Sequence, residues 1–125
     1  MKDFKAYFQL DADPADIYNA LTNKFMIEIW TGEDCIMETT PNSEFEMWDG
    51  AICGKNIEFE QNKKLVQEWY FGEKEQSIVT IKLHPNKGGT SMEVKHTNIP
   101  DDAYDNIVEG WREDYYAALN ELFEE

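Results

Sequence analysis

The last fifth of the chain constrains the fold most. Tyr104, Ile107, Val108, Trp111, Tyr115, Ala118, Leu119 and Leu122 repeat at i, i+3, i+4, i+7, which predicts one long amphipathic helix. From Ala103 to Phe123 such a helix runs about 30 Å at 1.5 Å per residue. Asp101 and Asp102 precede it as expected caps and dipole partners. A helix that long must bury its apolar stripe against something broad.

The preceding residues supply the surface. Phe4, Ala6, Phe8 and Leu10 alternate as a strand with one buried face. Asp13-Pro14 opens a short helix to about Asn23, with Asp13 as N-cap and Asp16 in its first turn. A second short helix is expected over Phe25 to Trp30, closed by Gly32. Six further strands follow: 34–37, 44–48, 52–60, 65–71, 76–84 and 90–98. Asp49-Gly50 predicts a type I′ hairpin turn, because that turn needs positive φ at both central residues. Pro85 to Gly89 reads as a loop.

An antiparallel meander with one apolar face needs a cover, and the final helix is the only element large enough. The expected class is α+β in the helix-grip architecture. It is a single domain over 1–125, a curved antiparallel sheet of about seven strands around the long C-terminal helix, with two short helices after strand 1. Such folds often leave a cavity between sheet and helix.

The charge excludes several functions. The 125 residues carry 26 acidic and 11 basic side chains, a formal net charge of −15. One Arg and dispersed Lys cannot form a phosphate-binding patch, so nucleic acid is not an expected partner. An anionic membrane surface would repel the chain. The acidity either maintains solubility or steers the protein toward a basic surface. Cys35 and Cys53 have no ligand spacing for zinc, so no metal is expected. Two thiols without a signal peptide suggest a reducing, cytoplasmic location. No cofactor fingerprint and no hydrolase, zinc-protease or P-loop motif is present.

Several segments together resemble a known family. Asp13-Pro14-Ala15-Asp16-Ile17-Tyr18-Asn19-Ala20-Leu21-Thr22 resembles the opening helix of START-like (SRPBCC) domains. Trp48-Asp49-Gly50-Ala51-Ile52-Cys53-Gly54 is similar to the hairpin of the activator of Hsp-90 ATPase homologue family. Lys64-Leu65-Val66-Gln67-Glu68-Trp69 is similar to its next strand, although Tyr70 stands where the family commonly has Arg. Gly89-Thr90, Asn98-Ile99-Pro100 and Glu109-Gly110-Trp111 also fit. The resemblance runs from about residue 3 to the end, and is strongest to the C-terminal domain of the eukaryotic co-chaperone. It implies an Hsp-90 family chaperone as partner.

The residues offer three functions. The first is a protein-interaction module, with Trp48 as anchor. Its parity is opposite to Phe45 and Met47, which places it outside, either free for a partner or covering the outer sheet face. Glu44, Glu46, Glu58, Glu60 and Glu68 would then make that outer face a negative patch. The second is binding of a small apolar ligand, in a cavity expected between Trp30, Trp69, Ile81, His96, Tyr104, Ile107 and Trp111. The third is a cyclase- or hydrolase-type enzyme using His96, Tyr104 and a buried carboxylate; no catalytic residue is assigned, because no partner for His96 is evident. Gly110, inside the helix, is expected to mark close approach to a bulky neighbour such as Trp69 or Trp30. The alternative is a thin point beside a cavity mouth.

Overall fold

The computed structural model describes residues 1–72 and 76–124. Its strands are β1 (Lys2–Leu10), β2 (Glu44–Met47), β3 (Ile52–Glu60), β4 (Lys64–Trp69), β5 (Ser77–Asn86) and β6 (Gly89–Ile99). They form one antiparallel sheet in the order β1-β6-β5-β4-β3-β2. Between β1 and β2 lie α1 (Pro14–Thr22) and α2 (Lys24–Thr31). The sheet has six strands rather than seven. The expected strand at 34–37 is reduced to one bridge, Ile36 to Glu46. Cys35 gives its N–H to the Glu28 carboxylate at 3.1 Å, which removes it from any ladder.

The inner face follows the alternation. Phe4, Phe8, Leu10, Phe45, Met47, Leu65, Val79, Ile81, Leu83, Met92 and Val94 are all buried. The short helices close one end, α1 against β5 and β6, α2 against the C-terminal helix. Asp13 takes the N-cap position of α1 with extended backbone, but its side chain caps nothing. Asn23 joins the two helices: its Oδ1 accepts from the Phe25 and Met26 N–H groups at 2.9 and 3.3 Å. Gly32 ends α2 at φ 76°.

Asp49 and Gly50 both have positive φ, and the Ala51 N–H donates to the Trp48 carbonyl at 3.1 Å. This is the geometry of the expected type I′ turn. The β5–β6 hairpin is longer than expected, running through Pro85 to a Lys87-Gly88 tip. The last β4 partner pair of β5 is at Lys82, so Pro85 needs no donor on that side.

The final helix is continuous but not uniform. It comprises α3 (Tyr104–Glu109), a π-helical segment (Gly110–Tyr116) and α4 (Ala117–Phe123). Neither Asp101 nor Asp102 caps it; Asp101 instead pairs with the N-terminal amine at 2.9 Å. Its buried stripe is Trp111, Tyr115 and Leu119. One flank is tied to β1. Tyr116 stacks on Phe8 at 4.8 Å and donates its hydroxyl to the Gln9 carbonyl at 2.7 Å. Arg112 lies over the Phe4 ring at 5.7 Å. No helix among the described residues is long and apolar enough to cross a membrane.

The outer face of the sheet is mixed rather than a negative patch. Lys5, Lys55, Lys64, Lys82 and Lys95 share it with the glutamates at 44, 46, 58, 60, 68 and 93. Lys64 bridges Glu58 at 2.6 Å. Acidity concentrates elsewhere. Residues 101–125 contain nine acidic side chains and one basic, Arg112.

Candidate functional site

The helix is held to β1 on one flank and stands off the β3–β4 end on the other. A cavity of about 650 Å³ opens there. Its strand side is built from Trp48, Ile52, Trp69 and Phe71, its helix side from Ile107, Gly110, Trp111 and Tyr115. The mouth passes between exposed Ala51 and the exposed helix residues Glu113, Asp114, Ala117 and Glu121. The size suits a small organic molecule.

The four tryptophans belong to one aromatic chain. Trp48 meets Trp30 edge-on at 5.5 Å, and Trp30 meets Tyr115 at 5.1 Å. Tyr115 packs on Trp111 at 4.5 Å, and Trp111 stacks on Trp69 at 5.0 Å. Trp48 is therefore half-buried against the core and lines the cavity, not free on the outside. The reason is local. Its φ is 51°, so the chain leaves strand alternation at this residue and swings the indole inward.

The other expected cavity residues divide. Trp69, Ile107 and Trp111 line the cavity; Trp30, Ile81, His96 and Tyr104 do not. Trp30 lies behind the wall and donates its indole N–H to the Ala20 carbonyl at 2.8 Å. Ile81 is buried in the sheet core. Tyr104 lies at the helix start under the Lys2 ammonium, 5.0 Å from the ring centroid.

His96 is fully buried and both ring nitrogens are engaged. The Trp111 indole donates to its Nδ1 at 3.1 Å. Indole is only a donor, so Nδ1 must be the bare nitrogen and Nε2 carries the proton toward Ser77 Oγ, 3.0 Å away. Ser77 in turn donates to the Trp69 carbonyl. Burial lowers the His96 pKa to about 4. The ring is thus a neutral link between sheet and helix, with no free nitrogen for proton transfer.

A second buried polar chain fixes the strand wall. Trp69 Nε1 donates to Gln67 Oε1 at 3.0 Å, and Gln67 Nε2 to Asn56 Oδ1 at 2.9 Å. Asn56 Nδ2 reaches the Glu38 carbonyl at 3.2 Å. Gln67 and Asn56 were not singled out in the sequence. Their signal was present: both are amides on inward-facing strand positions.

Gly110 is not a close-contact glycine. A Cβ there would meet only Asp114 Oδ2, at 3.8 Å. It starts the π-helical segment and lines the cavity, the alternative of the two expected roles. Gly54 is tight instead, since its added Cβ would sit 1.8 Å from the Glu68 carbonyl oxygen, and Gly89 is tight against the Leu10 carbonyl oxygen at 2.4 Å. Cys35 and Cys53 are both free thiols. Among the described residues no group of His, Cys, Asp and Glu is arranged to hold a metal.

Residues 11–124 match the family described as activator of Hsp90 ATPase homolog 1-like protein. An activator of 90 kDa heat shock protein ATPase homolog from Dictyostelium discoideum is 26% identical over 98% of this chain. The mouse activator homolog 2 is 21% identical over 91%. The chain spans about a third of the length of these relatives, 33% and 35%. Among solved structures, an HSP90 activator from Plasmodium falciparum superposes with a TM-score of 0.87 at 20% identity, covering 96% of this chain and 94% of that one. The Aha1 dimer from Colwellia psychrerythraea gives 0.86 at 18% identity, covering 99% and 97%. With the model match running over nearly the whole sequence, the chain belongs to the activator of Hsp90 ATPase homolog 1-like family.

Proposed function

We propose that this domain is a non-enzymatic binding module that engages an Hsp90-type chaperone. The observation that carries this reading is the family match over residues 11–124, shared with relatives named as activators of the 90 kDa heat shock protein ATPase. The charge distribution supports it. The acidic helix side offers a field for a basic chaperone surface, while the outer sheet face is nearly balanced. Two free thiols suit action in a reducing cytoplasm.

A calorimetric titration with the Hsp90 of the same organism tests this reading. Binding is expected to weaken at least about tenfold as salt rises from ~0.05 to ~0.5 M, because opposed surface charges are screened. Absence of binding at low salt, or affinity indifferent to salt, contradicts it.

The cavity supports a second reading, capture of a small ligand with an apolar body. The two readings are compatible, since a ligand there would contact the helix that carries the acidic side. The enzyme reading has the weakest support: its one named base, His96, lies outside the cavity lining with both nitrogens engaged.

A further inference from the structure

We infer that the cavity takes a small organic cation with an aromatic or aliphatic body, in preference to a neutral or anionic lipophile. The inference rests on the second reading above, that the cavity is a binding site. The lining includes six aromatic residues: Trp48, Trp69, Tyr70, Phe71, Trp111 and Tyr115. Ring faces carry negative potential and attract ammonium groups, tryptophan most strongly. The charged residues in the lining are Glu113, Asp114 and Glu121, all exposed at the mouth. Among the described residues no Lys, Arg or His joins them in the lining. The single Arg of the chain, Arg112, is turned to the opposite flank over Phe4. An anionic lipophile would therefore meet carboxylates with no counter-charge among the described lining residues, and a neutral one would leave them unused.

One polar group inside the cavity points the same way. Tyr115 is buried and lines the cavity, and its hydroxyl bonds to no described residue. Burial pushes its phenol pKa up, so it remains a neutral hydroxyl that can orient a ligand without adding charge. The π-helical segment contributes geometry. Gly110 leaves the wall open where a side chain would project, and Trp111 and Tyr115 face the sheet from successive turns.

The test uses three probes of matched body: naphthylmethyltrimethylammonium, naphthylmethanol and naphthylacetate, titrated calorimetrically into the whole chain. The cation is expected to bind about tenfold tighter than the alcohol, and the acetate weakest. Net charge alone attracts cations, so two charge-matched triple variants separate the causes. The rim variant Glu113→Gln, Asp114→Asn, Glu121→Gln is expected to cut the preference to about twofold. The distant variant Asp11→Asn, Glu33→Gln, Glu38→Gln is expected to keep it. All six side chains are exposed, so neither variant disturbs the core. Equal affinity for cation and alcohol overturns the cation preference while leaving the cavity reading standing. Equal loss in both triple variants also overturns it. Binding of none of the three probes overturns the cavity reading itself.

Discussion

At the scale of single residues, His96 ties the sheet to the helix and does so only when neutral. A proton on Nδ1 would face the Trp111 indole N–H, two donors with nothing between them to accept. Its folded pKa is depressed, from the ordinary 6.5 to about 4. Stability from this group is therefore full above about pH 6.5 and lost as pH falls toward 4, where the unfolded chain takes the proton first. The expected slope is about 1.4 kcal/mol per pH unit. Denaturant melts between pH 7 and pH 4.5 check it. His96→Gln is expected to be less stable at pH 7 but flatter across that window. A native-like slope in the variant would show that another group titrates. The sequence placed His96 on the inner face by alternation, but its partners Ser77 and Trp111 come from distant elements that no local pattern joins.

At the scale of elements, most of the fold was legible because it follows from two periods. Alternation predicted six strands after the short helices, of which five formed and 34–37 did not, and the i, i+3, i+4 stripe predicted the final helix. What alternation missed were residues that leave the period. Trp48 reverses direction through positive φ, and Cys35 spends its N–H on Glu28 instead of a ladder. The two glycines carry opposite meanings that sequence cannot separate. Gly54→Ala is expected to cost about 1–3 kcal/mol or more, because the methyl collides with the rigid Glu68 carbonyl. Gly110→Ala is expected to raise stability by up to about 1 kcal/mol, because the helix gains a better former at no steric cost. Thermal or denaturant unfolding of both variants checks the pair. A destabilised Gly110→Ala would mean that the π-helical segment itself requires glycine.

At the scale of the molecule, the decisive property is asymmetry. One face is a sheet with interleaved lysines and glutamates. The other is an acidic helix beside an aromatic cavity. The cavity was only partly legible from sequence. Trp69, Ile107 and Trp111 have the right parity, but where the helix stands off depends on Tyr116 and Arg112 fastening it to β1. Those are contacts across more than a hundred residues of chain, which no local periodicity encodes. The most direct measurement is a two-dimensional amide NMR titration with the cognate Hsp90, with the chaperone's ATPase rate followed in parallel. The account predicts shifts gathered on residues 104–124 and the Trp48–Cys53 hairpin, with Lys5, Lys82 and Lys95 on the outer face unmoved. A change in ATPase rate would add activation to binding. No shifts, or shifts confined to the outer sheet face, would contradict the account.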